Sequence, residues 1–220
     1  MQQQMVYSRG MPRKNIIKHY GAGEYYHVYN RGALQADIFR DDNDYRYLLY
    51  LFKRHLGEDI AKDRSGREVP NYHGRIELTA YCLMPNHYHL MVYLLENDGL
   101  EKLMRSVMTS YSRYFNRKYQ RSGTLFQNPF LAVRITTQSY FWHVSRYIHL
   151  NAMDLPGDYL RYPYSSIGYF IGEKHADWVH PERIVELSSE RQAYLEFLRE
   201  YETRHDELRD LKQILADAAM

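Results

Sequence analysis

Ile76-Glu-Leu-Thr-Ala-Tyr-Cys-Leu-Met-Pro-Asn-His-Tyr-His-Leu-Met-Val-Tyr-Leu-Leu95 is the stretch that decides the fold. Ile76 to Leu83 is apolar and aromatic enough to read as a strand. Met84-Pro85-Asn86 interrupts it, because proline lacks the ladder N–H and asparagine favours turns. His87 to Leu95 then reads as a strand that folds back on the first, so the whole stretch is a hairpin. Toward the N-terminus, the polar run from Gly57 to His73, with Gly66 and Pro70, reads as a loop. Before it, Asp41-Asp42-Asn43-Asp44 offers N-caps for a helix to about His55, with Tyr47, Leu48, Leu51 and Phe52 on one face. Glu24-Tyr-Tyr-His-Val-Tyr-Asn30, halted at Arg31-Gly32, reads as another strand.

On the other side of the hairpin, Gly99 to about Tyr119 reads as a long helix. Leu100, Leu103, Met104, Val107, Met108, Tyr111 and Phe115 form its apolar stripe, with Arg105, Arg113, Arg117 and Lys118 mostly off it. Arg121-Ser-Gly-Thr is a turn, Phe130 to Thr136 a fourth strand, and Thr137 or Ser139 the cap of a helix from Tyr140 to about Met153. The sum is β-α-β-β-α-β-α, whose first six elements follow the ferredoxin-like order. The expected fold class is therefore α+β, with a helix after the fourth strand and a helical tail. In that tail Ser189 and Gln192 have capping-box spacing. Tyr194, Phe197, Tyr201, Leu208, Leu211 and Leu215 follow a rough heptad broken by Arg204, which suits packing back on the domain or a coiled-coil dimer.

A chain of 220 residues suits one substantial domain plus a tail. No window approaches the roughly 18 apolar residues of a membrane span, and the N-terminus lacks the apolar core of a secretory signal. The single cysteine, Cys82, allows no intramolecular disulfide and no thiolate metal cluster. The expectation is a soluble, reduced, cytoplasmic protein. Net charge is only +2, from 29 bases and 27 acids, but it is unevenly spread. Residues 182–220 hold ten acids and six bases, while residues 1–22 hold four bases and no acid, and residues 101–121 six bases against one acid. Two local basic zones fit a polyanion partner, and each alone also fits a solvated helix face. Tyrosine stands out at 23 residues, an abundance that by itself identifies no site.

Two short motifs can carry chemistry. On the strand after the turn, His87 and His89 face one side and Tyr88 the other, because strand side chains alternate. Two imidazoles about 7 Å apart along a strand can converge on one divalent ion, given a third ligand from elsewhere. On the last helix, Tyr147 and Asn151 are i and i+4 and share a face, with His143 one turn before them. That spacing equally suits a half-buried tyrosine satisfied by a neighbour. What joins the motifs is chemical: a phenol with a pKa near ~10 is a poor nucleophile at neutral pH. A divalent ion held by two histidines and a carboxamide would polarise a phosphodiester and stabilise its leaving oxygen.

Met84-Pro-Asn-His-Tyr-His-Leu-Met-Val92, Arg146-Tyr-Ile-His-Leu-Asn151 and His27-Val-Tyr-Asn-Arg-Gly32 together resemble the one-tyrosine transposases of the HUH superfamily, and most closely the REP-associated tyrosine transposases. Gly123-Thr-Leu-Phe-Gln127 and Tyr162-Pro-Tyr-Ser-Ser166 extend the resemblance over roughly residues 25–166. It implies a ferredoxin-like domain acting on single-stranded DNA folded as a hairpin, as a monomer or homodimer and with no membrane partner. Tyr147 falls on the family nucleophile, which forms a 5′-phosphotyrosine. His87, His89 and Asn151 fall on its metal ligands, for Mg²⁺ or Mn²⁺. The chain departs from many relatives at Asn151-Ala-Met-Asp154 and at Phe126-Gln-Asn-Pro-Phe130, which bears on DNA contacts. The candidates for those contacts are Arg31, Arg105, Arg113, Arg117 and Lys118. The expected partition is a basic arm over 1–22, a catalytic domain over 23–170 and a helical extension over 171–220. The alternative on the same fold is a domesticated protein that binds a DNA hairpin without cutting it.

Overall fold

The computed structural model describes residues 20–188 and 191–200. Four strands, β1 (Tyr25–Arg31), β2 (Ile76–Met84), β3 (His87–Leu94) and β4 (Leu131–Ile135), form one antiparallel sheet in the order β2-β3-β1-β4. Helix α1 (Asp42–Leu56) links β1 to β2, α2 (Leu100–Lys118) links β3 to β4, and α3 (Gln138–Leu150) follows β4. This is the ferredoxin-like α+β arrangement expected from the hairpin and its flanks. Three shorter helices follow, α4 (Ile167–Phe170), α5 (Glu182–Val185) and α6 (Arg191–Arg199). The basic arm up to residue 19, Ser189 of the expected capping box and the heptad positions from Tyr201 onward lie outside the described residues.

Local chemistry sets the ends of the helices. The Asp41 carboxylate accepts from the backbone N–H groups of Asn43 and Asp44, and Asp44 returns the favour to the backbone of Asp41, a reciprocal capping box. Helix α2 starts after Gly99, whose φ of +93° is a backbone few other residues tolerate. Thr137 is the cap of α3, accepting from the Tyr140 N–H at 3.2 Å. Where the sequence reads one helix to Met153, α3 ends at Leu150 and Asn151–Asp154 tightens into a 3₁₀ turn.

The sheet separates two apolar layers. Tyr26, Val28, Tyr81, Leu83, Tyr88, Leu90 and Val92 pack against α1 and α2, where Leu48, Leu51, Phe52, Leu103, Val107 and Phe115 are buried. Ala80, Cys82, Met84, Met91 and Ile135 face the other way, onto Phe141, Val144 and Ile148 of α3 and Tyr194 and Leu198 of α6. A register shift between Leu78 and Ala80 puts a bulge in β2. The outer edge of β2 is covered rather than left open: Leu83 and Tyr81 bond the backbone of Tyr164 and Ser166, and the His180 N–H donates to the Leu78 carbonyl at 2.9 Å. The described part of the C-terminal stretch thus packs back on the sheet. Among the described residues no helix is long and apolar enough to cross a membrane.

The layer of α1 and α2 is pinned by a charge cluster. Asp44 is fully buried and accepts from Lys118 at 2.7 Å, from the Tyr119 hydroxyl at 2.7 Å and from the Arg40 N–H at 2.8 Å. Asp44→Ala would leave that ammonium and hydroxyl without their buried acceptor. We expect it to cost about 3 kcal/mol, the low end for breaking a buried pair, seen as a lower urea midpoint at unchanged slope.

Candidate active site

β3 lies between β1 and β2, so both its edges are paired, and with helices on each face every residue from Tyr88 to Val92 is buried. Alternation sends Tyr88 into the α1/α2 layer. His87 and His89 share the opposite face, with ring centroids 5.1 Å apart. Helix α3 crosses that face, held by Phe141, Val144 and Ile148 and by the wholly buried His149. The two nitrogens of His149 each lie 2.8 Å from a hydroxyl, Tyr194 on one side and Ser166 on the other. Burial pushes its pKa down to about 3, so the ring is neutral and serves one hydroxyl with its N–H and the other with its lone pair.

With His149 fixed in the core, its neighbour Tyr147 turns to the sheet. The Tyr147 hydroxyl lies 3.2 Å from Nε2 of His89. One turn on, Asn151 donates from Nδ2 to the Tyr147 carbonyl at 2.6 Å, and its Oδ1 lies 3.4 Å from Nε2 of His87. His87, His89, Tyr147 and Asn151 thus come from two elements into one cluster. Burial raises the Tyr147 phenol to about 12, while the Asn151 side chain pulls the other way.

Proton bookkeeping shows what the cluster can hold. Asn86 points Nδ2 at the Gln35 carbonyl, so its Oδ1, 2.6 Å from Nδ1 of His87, accepts from that ring. In the neutral ring the lone pair of His87 is then on Nε2, 3.4 Å from Oδ1 of Asn151. Asn151 spends Nδ2 on Tyr147, so its Oδ1 is a lone-pair atom as well. Two acceptors 3.4 Å apart, beside Nε2 of His89, fit a cation between them. Adjacent ligands of an octahedral ion with bonds of about 2.1 Å stand about 3 Å apart. No group of three His, Cys, Asp or Glu among the described residues is arranged for a metal, and here the third donor is an amide.

The family model described as Transposase IS200 like matches residues 68–151, the stretch that contains β2, β3, α2, β4 and α3. Over these residues the chain is similar to IS200-like transposases. No curated protein sequence matches the chain. Among solved structures, a REP-associated tyrosine transposase bound to a REP hairpin superposes with a TM-score of 0.47 at 16% identity, covering 80% of this chain and 91% of that one. A candidate transposase from Deinococcus radiodurans R1 gives a TM-score of 0.34 at 13% identity, covering 67% and 95%.

The matched segment contains all four clustered residues, whereas the cationic candidates are scattered. Arg31, at the end of β1 opposite His87, is exposed on the rim of the site and donates to Gln127. Arg105, Arg113 and Arg117 are exposed on α2, across the sheet from the histidine pair, with Arg105 ion-paired to Glu101. Lys118 is clasped by Asp41 and Asp44; burial alone would lower its pKa, and these bonds raise it. His143 accepts from Arg146 at 3.2 Å. Two residues at this cluster carry no role in the sequence reading. Asn86, there only a turn residue, sets the tautomer of His87. His27, there only part of a motif, puts Nε2 2.9 Å from Nδ1 of His89. Period two on β1 shows which face His27 shares, but only the pairing of β1 with β3 shows whose ring it meets.

Tyr147 offers a direct check on the burial of this site. In ¹³C spectra of Cζ-labelled tyrosine, the signal missing from Tyr147→Phe should titrate near 12, against about 10 for a free phenol. The folded state holds this proton more tightly, so its stabilisation is complete below pH ~10 and is lost as pH rises toward the folded value. Tyr147→Phe should remove that part of the alkaline loss.

Proposed function

We propose that the protein is a metal-dependent single-stranded DNA transposase and endonuclease of the REP-associated tyrosine type, which cuts and rejoins DNA at hairpin-forming repeats. The observation that carries this reading is the meeting of the Tyr147 hydroxyl with His89 at 3.2 Å beside the His87–Asn151 pair, within the stretch similar to IS200-like transposases. Tyr147 is the nucleophile. Its oxygen bonds to phosphorus, the bond from phosphorus to the 3′ oxygen breaks, and the phenol proton is given up as the leaving oxygen becomes a 3′-OH. The product is a 5′-phosphotyrosine. Attack by the 3′-OH of another strand reverses the exchange and rejoins DNA with no external energy source.

His87, His89 and Asn151 would hold Mg²⁺ or Mn²⁺, which when bound polarises the phosphate and steadies the leaving oxygen. The rest falls to the chain itself. Burial keeps the phenol protonated at neutral pH, so Tyr147 is unreactive until a phosphodiester is seated. Asn151 ties the side of the cluster that faces His87 to the helix turn bearing the nucleophile. Arg31 on the rim contacts the strand entering the site. Arg105, Arg113, Arg117 and Lys118 give α2 a second basic surface for DNA. The working division is an arm over 1–22, the catalytic domain over 23–170 and an extension over 171–220, acting in the cytoplasm as a monomer or homodimer.

The test uses single-stranded oligonucleotides carrying hairpins from the protein's genomic neighbourhood, with Mn²⁺ or Mg²⁺, on a denaturing gel. A covalent protein–DNA band should form with wild type, vanish in EDTA and be absent for Tyr147→Phe, whose hairpin affinity stays within about twofold. Affinity should fall steeply with salt, since phosphate contacts release counterions. Hairpin binding with no covalent band at any metal concentration would replace this reading with that of a non-cutting hairpin binder.

A further inference from the structure

His27 is wholly buried on β1, and its ring lies almost parallel to that of His89, with centroids 5.1 Å apart and planes 20° apart. Its Nε2 is 2.9 Å from Nδ1 of His89. Its other nitrogen, Nδ1, is buried with no hydrogen-bond partner. A chain of three groups therefore runs inward from the site, from the Tyr147 hydroxyl to Nε2 of His89, and from Nδ1 of His89 to Nε2 of His27. Two proton arrangements satisfy both bonds. In one, Tyr147 donates to Nε2 of His89 and His89 donates from Nδ1 to His27, so His89 turns an unprotonated nitrogen to the site and the proton of His27 sits on its buried Nδ1. In the other, every proton runs the opposite way, and His89 presents an N–H to the site.

We infer that His27 is a positioning residue for His89: it accepts the Nδ1–H and so keeps Nε2 bare toward Tyr147 and the His87–Asn151 pair. This rests on the proposed metal-binding role of His89 and extends it inward by one shell. A ligating histidine is oriented by what its other nitrogen touches, and the usual partner is a carboxylate, a carbonyl or water. Here it is a second imidazole. Full burial suits that part, because it holds the ring at a fixed place behind His89 with no solvent to compete for the bond. The geometry on the far side of the site follows the same rule, with Asn86 accepting from Nδ1 of His87. Each histidine of the pair thus has a separate acceptor behind it, one from the hairpin turn and one from the neighbouring strand.

The first measurement needs no variant. Long-range ¹H–¹⁵N spectra of the full-length wild type, with and without Mg²⁺, report which nitrogen of each imidazole carries the proton, and coupling across the N–H···N bond links His89 to His27. The expected result is a proton on His89 Nδ1 and a bare Nε2; a proton on His27 Nε2, donated to His89, overturns the inference. The second measurement compares His27→Phe, which keeps the ring and loses the acceptor, with His27→Gln, whose amide can accept near the old Nε2. Loss of the acceptor should weaken Mn²⁺ binding, followed by electron paramagnetic resonance, by roughly 10–100-fold and give His89 a mixture of tautomers. His27→Gln should restore both to within about fivefold. A folded His27→Phe protein with unchanged tautomer and unchanged Mn²⁺ affinity would reduce His27 to core packing. Should wild type and His89→Ala bind Mn²⁺ equally, the metal reading fails by itself, and the tautomer of His89 still decides the part played by His27.

Discussion

The seating of α3 across β2 and β3 is the constraint on which the rest of this molecule depends. Phe141, Val144 and Ile148 are buried against β2 and β3, but apolar packing alone leaves a helix able to slide or roll. His149 removes that freedom. Both its nitrogens are bonded in the core, to Ser166 on the segment covering the edge of β2 and to Tyr194 on α6. Ser166 in turn accepts from the Tyr81 N–H at 2.8 Å, so the register of α3 is tied to the backbone of the sheet. A buried neutral imidazole with two directional bonds is costly to misplace, since each unmade bond would cost about 1–3 kcal/mol. Two residues earlier in the chain, Tyr147 inherits that precision.

What could be read from the sequence was local periodicity. Period two gives the shared face of His87 and His89, and the 3.6-residue repeat gives that of Tyr147 and Asn151. Pro85, the four-residue Asp41–Asp44 cap region and Thr137 mark boundaries by chemistry that acts within a turn or two. None of this says that the strand face and the helix face meet. That requires the sheet order β2-β3-β1-β4 and the side on which α3 lands, both set by long-range packing. The same gap explains His27, whose partner is fixed by pairing between strands 62 positions apart. It also explains the arginines of α2. Lying off the apolar stripe shows that they are exposed, whereas only the layering shows that they look away from the histidine pair.

Tyrosine abundance turns out to be mainly a feature of packing. Tyr45 stacks on Tyr164 at 4.0 Å, Tyr47 on Tyr114 at 4.1 Å, and Tyr81 lies parallel to Trp178. Tyr111, in the core of the α1/α2 layer, donates to the Ile38 carbonyl and has its pKa driven far up, mainly by burial. These phenols use an apolar body to fill space, and in Tyr111 the hydroxyl also answers a backbone carbonyl. Tyr147 differs in its setting: it meets His89 in a cluster that also brings His87 and Asn151 together.

That cluster contains no carboxylate, and on the proposed reading the absence matters. Two imidazoles and a carboxamide are neutral donors, so a divalent ion among them keeps its charge, and the set alone holds a hard cation weakly. A phosphodiester brings the missing anionic oxygens. Ion and DNA then complete each other's sites, and by linkage each strengthens the other by the same factor. An aspartate at position 151 would tighten the ion in the absence of DNA and repel the phosphate that must approach. On that proposed reading the neutral ligand set would add no charge of its own between the ion and the phosphate.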